Sequence, residues 1–374
     1  MTSEFRPKMS RWKILASLLI FLLCGELVLW IAPLVMGRYV HPPFNRSETR
    51  FDYKYPAIKN ATAVWTTNER GARGSLYHGE PNRLLVLGSS TSASANLSNS
   101  DTWPEKLKGR LSGIHVDNLS RDGSTDLEIT EILKALKADG ANYDLILIMT
   151  HMALKDAEKL EPPVPFHFSE KWSRKKTFPR LPAWVFAEWI APSMAFVSSR
   201  LPWLRRTQPA FVPNSINNRQ LVLSGVARYV DIPVSLASED SSQIIERTRQ
   251  MVLGAKALAP KVAIILQPVA YDEKADGEVL RRWYSLYPVE NRPGYYKSPA
   301  TVAAGIRQAN QMISLTAQKM GVPVLDLDEK IRPILRARGD LFYDKWHFLP
   351  EGADEAAALV SRFLIETGLA KPRE

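Results

Sequence analysis

The sequence predicts an α/β protein whose parallel sheet is covered by helices on both faces. Short apolar runs of strand length recur along the chain, and amphipathic stretches of helix length separate them. Strands joined by helical crossovers are buried on both faces, which is why such runs are apolar throughout rather than alternating. No internal repeat is found. We therefore expect one parallel sheet of five strands.

The five predicted strands are residues 83–87, 114–119, 143–149, 261–266 and 322–325. Helical periodicity occurs between and after them, at residues 103–111, 127–138, 241–258, 300–320 and 350–367. Pro350 suits the first turn of the last helix because that position needs no N–H donor.

Composition excludes several classes of protein. The chain has 374 residues, of which 45% are hydrophobic and 24% are charged, as in a globular protein. The formal net charge of +10 arises in two places: residues 1–13 carry four basic residues against Glu4, and residues 171–206 carry eight against Glu188. Because the remainder is neutral, nucleic-acid binding is not expected. A single cysteine, Cys24, excludes an intramolecular disulfide and a cysteine-rich metal site, and no cofactor or metal is expected.

Residues 14–36 form a largely apolar run, about 35 Å long as a helix and therefore long enough to cross a bilayer. The basic residues of 1–13 precede it, so we expect a cytoplasmic tail, a single-pass anchor in the inner membrane and a periplasmic remainder. A cleavable signal peptide is the alternative, but the run is long for one and no Ala-x-Ala site follows. Glu26, in mid-span, either marks a helix partner or titrates to its neutral form.

Residues 37–80 are rich in proline, aromatic and polar residues, which indicates an extended spacer and lead-in before a domain at 81–370. The end of this lead-in, residues 67–74, is expected to be rich in turns.

The first candidate catalytic residue lies in the turn Gly88-Ser89-Ser90, directly after the first strand of the sheet. Open parallel sheets place their active sites at the carboxyl ends of their strands, so we interpret Ser90 as a nucleophile. A polar loop without chemistry is the alternative.

A candidate base precedes the last helix. Asp344 stands three residues before His347, so its carboxylate can hold the imidazole in one tautomer, and the imidazole can then act as general base to a serine. The alternative is that both residues help to cap the helix. Their position after the last predicted strand places them at the same edge of the sheet as Ser90.

Together these segments resemble the motifs of the SGNH (GDSL-type) hydrolases, a family of serine esterases and acyltransferases, over about residues 67–368. The resemblance implies a three-layer, flavodoxin-like fold. It matches Ser90, rather than Ser89, to the family's nucleophile, and Asp344 and His347 to its closing block. The second block matches residues 118–123, which implies that the N–H groups of Ser90 and Gly123 form an oxyanion hole.

The third block departs from the family pattern. A Gly-x-Asn-Asp motif, whose Asn donates into the oxyanion hole, should follow the third strand, but Met149 is followed by Thr150 and His151. Losing one such donor typically lowers turnover by roughly 10²–10³. Thr150 or His151 is a candidate replacement donor, and a structural role for His151 is equally open.

An insertion at about 161–213 combines basic residues with tryptophan-rich apolar sequence. It suits an interfacial helix on anionic lipid, a cap over the active site, a groove for an anionic glycan, or helices whose aromatic side chains pack on the sheet.

The sequence as a whole predicts a membrane-anchored, extracytoplasmic serine esterase or O-acyltransferase. By resemblance, its substrate is an O-acyl ester of a cell-envelope glycan. The alternatives are a catalytically inactive module that binds glycan or scaffolds an envelope complex, and a lipid esterase.

Overall fold

The computed structural model describes residues 20–24, 46–51, 61–150, 228–232, 238–272, 288–289, 292–339 and 341–373. By its contacts the chain divides into two compact units, residues 1–38 with 164–210 and residues 39–163 with 211–374. All described residues except the helical segment 20–24 belong to the second unit. The tail 1–13, Glu26, His151, the insertion 161–213 and the rest of the predicted anchor 14–36 lie outside the described residues. Within the described ranges, no helix is long and apolar enough to cross a membrane.

The strands, numbered in chain order, are β1 Arg46–Phe51, β2 Ala61–Thr66, β3 Asn82–Gly88, β4 Ile114–Asn118, β5 Leu145–Met149, β6 Arg228–Val230, β7 Lys261–Leu266, β8 Pro288–Val289, β9 Arg292–Lys297 and β10 Val324–Asp326. The central sheet is five-stranded and parallel, in the order β10-β7-β5-β3-β4. Counting only these strands along the chain, the order across the sheet is 2-1-3-4-5, the flavodoxin-like order. The predicted parallel sheet is confirmed, with each strand within two residues of its predicted bounds.

The helices are α1 Ser90–Ala93, α2 Trp103–Lys106, α3 Asp126–Ala138, α4 Ser238–Lys256, α5 Pro299–Lys319, α6 Leu327–Arg338 and α7 Pro350–Glu366. Helix α4 packs against both α3 and α5, while α7 packs against α2 and α6. Alternate strand residues such as Leu84, Val86 and Leu147 share one apolar core with α2, α6 and α7. The sheet thus lies between two layers of helices, and its central strands are buried on both faces.

Two helices differ from the prediction. Helix α2 ends at Lys106 and continues as a 3-10 turn, Leu107–Gly109, so it is shorter than the predicted 103–111. Helix α6 was not predicted because Pro333 interrupts its pattern. It forms nevertheless, since the Asp326 side chain caps its first turn and Gly339, at φ 72°, ends it.

The region expected to be an extended spacer contains a hairpin, and that expectation is corrected for these residues. β1 and β2 pair antiparallel, from Arg46 with Thr66 to Phe51 with Ala61. The Val64 N–H donates to Ser98 Oγ (3.1 Å), so β2 is attached to the loop that follows α1. A turn centred on Asn68 follows, as predicted for residues 67–74.

Candidate active site

The serine turn lies at the carboxyl end of β3, the second strand from one edge of the sheet. A side chain at Gly88 would meet Ser92 Oγ at 2.7 Å and the Met149 carbonyl oxygen at 3.0 Å, so the close approach of the turn requires glycine. Ser89 is 2% exposed and its Oγ has no hydrogen-bond partner in the described part of the chain. Ser90, the first residue of α1, is partly exposed. Of the two serines, Ser90 is the one accessible to a substrate.

The Asp–His segment forms a closed loop before α7. The Leu349 N–H donates to the Leu341 carbonyl (3.0 Å), and Phe342 and Phe348 pair beneath the loop with their ring centroids 4.8 Å apart. Gly352 lets α7 lie directly against this loop, because a Cβ there would come within 1.8 Å of the Leu341 oxygen. Buried aromatic packing thus fixes where the loop presents its polar residues.

Asp344 and His347 interact in the way the sequence predicts for a catalytic base and its partner. Asp344 Oδ2 lies 2.7 Å from His347 Nδ1, and Asp344 Oδ1 accepts the backbone N–H groups of Trp346 (2.8 Å) and His347 (2.9 Å). A carboxylate can only accept, so Nδ1 carries the proton and the other ring nitrogen, Nε2, is left as the base. Nε2 has no hydrogen-bond partner among the described residues, and the His347 side chain is 26% exposed.

The electrostatics of the pair favour the charged form of both groups. Burial alone would lower the pKa of His347, but the charge and hydrogen bond of Asp344 outweigh it, and Asp122 adds to them, so the pKa lies above its usual value. Burial would likewise raise the pKa of Asp344, but His347 and the two backbone N–H groups hold it below its usual value. The imidazolium that forms when His347 takes a proton is therefore stabilised.

The second-block loop runs beside the serine turn. The Leu119 N–H donates to the Val86 carbonyl (3.0 Å) and the Arg121 N–H to the Gly88 carbonyl (3.1 Å). Gly123 has φ 74°, in the left-handed region that favours glycine. The backbone N–H groups of Ser90 and Gly123 donate to no described group and are therefore available to an oxyanion.

Three hydrogen bonds bring these segments to one edge of the sheet. Asn96 Nδ2 donates to the carbonyl of Phe348 (2.8 Å), Gln267 Nε2 to Thr91 Oγ1 (2.8 Å), and the Ala270 N–H to the carbonyl of Lys345 (3.0 Å). They connect the turn of Ser90 with the loop of His347. The Ser90 and His347 side chains are not hydrogen bonded to each other, a contact that in free enzymes commonly tightens only when substrate binds.

The end of the third strand supplies no side-chain donor among the described residues. Both the N–H (3.1 Å) and the hydroxyl (3.5 Å) of Thr150 face the carbonyl of Ile265, and the residue is fully buried. His151, the other candidate, lies outside the described residues. Nearby side-chain amides each donate to protein atoms instead: Asn96, Asn118 and Gln267. Among these described residues, only backbone N–H groups are therefore candidate donors to an oxyanion.

Sequence reasoning missed Gln267 and Asn96. Gln267 directly follows β7, the strand next to β5, so its place at the carboxyl edge was the available signal. Asn96 carries no such signal, because its partner is more than 250 residues away in the chain. In the described ranges there is no group of three or more His, Cys, Asp or Glu side chains that could hold a metal ion.

No protein-family model and no curated protein matches the chain. Among solved structures it is similar to a lipolytic protein of the G-D-S-L family from Veillonella parvula DSM 2008, at 10% identity over 76% of this chain and 96% of that chain, with a TM-score of 0.39. It is also similar to an acetyl xylan esterase from Geobacillus stearothermophilus, at 12% identity over 79% and 99% of the two chains, with a TM-score of 0.39. A third is an alpha/beta hydrolase enzyme from the metagenome of Lake Arreo, Spain, at 9% identity over 77% and 96%, with a TM-score of 0.41.

At such low identity, the roles of individual residues rest on the geometry of this chain alone. The central sheet has the flavodoxin-like order, with the serine turn and the Asp344–His347 loop at its carboxyl edge. The described part of the chain has a three-layer α/β fold with the flavodoxin-like strand order.

Proposed function

We propose that this protein is a serine esterase or O-acyltransferase whose nucleophile is Ser90. The observation that carries the proposal is the Asp344–His347 pair, 2.7 Å apart, whose Nε2 has no partner among the described residues. The hydrogen bond from Asn96 to Phe348 holds this loop against the segment that follows Ser90. A structural Asp–His pair has no need to keep one ring nitrogen open at the catalytic edge of a sheet.

In this mechanism His347 Nε2 takes the proton of Ser90 Oγ as the oxygen attacks the ester carbonyl carbon. The backbone N–H groups of Ser90 and Gly123 stabilise the oxyanion of the tetrahedral intermediate. When the ester C–O bond breaks, the imidazolium gives its proton to the departing alkoxide. Water or a sugar hydroxyl then attacks the acyl-enzyme, His347 takes its proton, and Ser90 recovers that proton when the acyl group leaves.

The substrate and location are further parts of the proposal. The apolar run at 14–36, with basic residues before it, supports a membrane anchor and a periplasmic domain. The motif resemblance supports an O-acyl ester of a cell-envelope glycan as substrate. Comparing release of the free acid with transfer of the acyl group to an added saccharide distinguishes hydrolysis from transfer.

A serine-reactive fluorophosphonate probe on the full chain in detergent tests the proposal. We expect labelling of the wild type, loss of labelling in Ser90→Ala, and retained labelling in the matched control Ser89→Ala, whose hydroxyl is buried. A folded wild type that does not react would refute the enzymatic function, whereas equal labelling of the Ser90→Ala variant would refute Ser90 as the nucleophile.

One observation favours a second candidate, a catalytically inactive module that binds glycan or scaffolds an envelope complex. Both donors of Thr150 face Ile265, at the position where the family pattern has a catalytic Asn. This candidate predicts a folded, unlabelled protein that still binds acylated glycan, which equilibrium binding to an acetylated oligosaccharide would measure.

A further inference from the structure

The side chain of Arg73 is buried next to the serine turn, although it belongs to the lead-in segment. Arg73 is 2% exposed. Its Nη1 donates to the carbonyls of Ala93 and Ser94 (2.9 Å to Ser94), its Nη2 to the carbonyl of Leu97, and its Nε to Asn99 Oδ1 (2.9 Å). One guanidinium therefore binds four acceptors in a single short segment.

All four acceptors lie in residues 93–99, directly after the helix that Ser90 begins. Helix α1 ends at Ala93, and its last carbonyls lack partners within the helix. Ser94 follows in the left-handed region, at φ 47°, which a residue other than glycine adopts only when its surroundings enforce it. The planar guanidinium matches this set of carbonyls as a fixed fork, whereas a lysine ammonium would be a single point charge.

The same segment, residues 93–99, also contacts the loop that carries His347. Asn96, between the carbonyls that Arg73 binds, donates to the carbonyl of Phe348, the residue after His347. On its backbone side, Arg73 pairs with Asn118 (2.8 Å from the Arg73 N–H to the Asn118 carbonyl), and Asn118 Nδ2 donates to the Ser92 carbonyl (2.9 Å). Arg73 thus contacts the segment that links the nucleophile to the base loop.

Burying a charged side chain is unfavourable unless other groups compensate for it. No carboxylate lies within ion-pair distance of Arg73 in the described ranges, so it lacks the usual partner of a buried cation. Burial lowers the pKa of Arg73 to about 10, against the more distant charges of Asp122, Glu105 and Asp101, so the group stays charged at neutral pH. The hydrogen bonds from the guanidinium to its four acceptors offset the free-energy cost of burying its charge.

We propose that Arg73 is a positioning residue that fixes the placement of Ser90 relative to His347 by holding residues 93–99 between them. The inference rests on the proposed esterase or acyltransferase function. Because misplacement of reacting groups by about 1 Å can cost roughly 10²-fold in rate, loss of the guanidinium should reduce kcat far more than it changes KM.

The test compares Arg73→Ala and Arg73→Lys with Arg83→Ala as matched control, using an activated ester and the fluorophosphonate probe. Arg83 is also largely buried, with its side chain 16% exposed, but it pairs with Asp117 away from the turn. We expect Arg73→Ala to lose about 10²-fold in kcat with KM within about 3-fold, and free guanidinium, but not methylammonium, to restore part of it. Arg83→Ala should lower the melting temperature, keep kcat within about 2-fold, and show no rescue.

Wild-type kcat in Arg73→Ala would overturn the inference, and so would a loss that guanidinium does not restore and that Arg83→Ala shares. If Arg73→Ala does not fold, Arg73→Lys decides, since it keeps the charge without the fork and should lose about 10-fold in kcat. An unlabelled wild type would instead count against the proposed function. A labelled wild type with equally fast labelling of a folded Arg73→Ala would count against Arg73 alone.

Discussion

Two Asp–His pairs occur in the described part of this chain, and only one has the features of a catalytic pair. Asp344 and His347 lie on a loop at the carboxyl edge of the sheet, with side chains 21% and 26% exposed. Asp117 and His115 lie two residues apart on the edge strand β4, with side chains 0% and 1% exposed and a distance of 3.0 Å between Oδ1 and Nε2.

The two carboxylates differ in what else they bind. Asp117 also accepts from Asn68 Nδ2 (2.7 Å) and from Arg83 Nη2 (2.9 Å), so its oxygens are taken up by a closed cluster. Asp344 instead uses its second oxygen to order the backbone of the loop that presents His347. The Asp117 cluster attaches the lead-in segment to the sheet. The Asp344 contacts fix the orientation of the His347 imidazole.

The two imidazoles differ in their remaining nitrogen. His115 Nδ1 lies in the interior, 3.9 Å from Glu80 Oε1, and the ring packs edge-on against Tyr77 with centroids 5.2 Å apart. Neither His115 Nδ1 nor His347 Nε2 has a hydrogen-bond partner in the described part of the chain, but the His347 side chain is 26% exposed whereas that of His115 is 1% exposed. Neither a short Asp–His distance nor a nitrogen without a partner therefore identifies a base, and the exposure of His347 at the carboxyl edge of the sheet is what makes it the candidate.

Replacing the histidine of each pair should give the largest difference in activity between the two pairs. We expect His347→Gln to lose at least about 10³-fold in kcat/KM, because His347 is the proposed acceptor of the Ser90 proton. His115→Gln should keep kcat/KM within about 2-fold but lower the melting temperature, because it leaves part of a buried cluster unpaired. Ester turnover and thermal unfolding of both variants measure this, and equal activity in the two variants would remove the distinction.

Asp344→Asn should lower activity by about 10²–10⁴-fold and also shift its pH dependence. His347 must be neutral to accept a proton, so kcat/KM rises with pH through the pKa of His347, which Asp344 and Asp122 hold above its usual value. Without the Asp344 charge that pKa falls, so the acid limb should move to lower pH as the plateau drops. An acid limb that stays in place in Asp344→Asn would show that His347 is not the titrating base.

Asp117→Asn should change stability rather than activity. Burial raises the pKa of Asp117, but His115, Asn68 and Arg83 more than reverse this and lower it to about 2. Because that is below the unfolded value, the stabilisation is present above about pH 4, is lost as pH falls towards 2, and is on the order of 2 kcal/mol. Denaturant unfolding should show the deficit of Asp117→Asn at pH 7 and its decline near pH 3, and a deficit independent of pH would contradict this.

Asp126 is also a buried carboxyl group, but no histidine is paired with it in the described part of the chain. It begins α3, one of its oxygens has no partner among the described residues, and burial raises its pKa to about 7, partly offset by Arg247. With the folded pKa above the unfolded value, stability is highest at low pH and falls as pH rises from about 4 to 7. Relative to wild type, Asp126→Asn should therefore become more stable by roughly 4 kcal/mol between pH 4 and pH 8. Parallel pH–stability curves for variant and wild type would contradict the buried state of this group.

The sequence predicted the sheet well because its signal is local. Runs such as Leu84 to Leu87 are apolar on both faces, and only a strand covered on both sides buries all of their side chains. The serine turn and the Asp-x-x-His spacing were equally local signals, and they made Ser90, Asp344 and His347 the candidates for the site; of these, the contact between Asp344 and His347 is present in the structure.

Features that depend on distant partners were not predictable in the same way. The pattern of α6 is broken by Pro333, and its formation depends on caps and on burial of Leu327, Ile331 and Leu335 against the sheet. The positions of Arg73 and Gln267 follow from contacts with residues 93–99 and Thr91, which no local pattern encodes. Sequence alone also does not show which Asp–His pair is buried in a closed cluster and which is partly exposed.

The attachment of β2 and Arg73 to the loop after Ser90 also determines where this protein can be divided. A fragment that starts at residue 81 would contain Ser90, Asp344 and His347, yet the carbonyls of Ala93 and Leu97 would have lost their buried donor. We therefore expect a fragment to keep the segment after Ser90 in place only if it retains both β2 and Arg73, and so begins at or before residue 61.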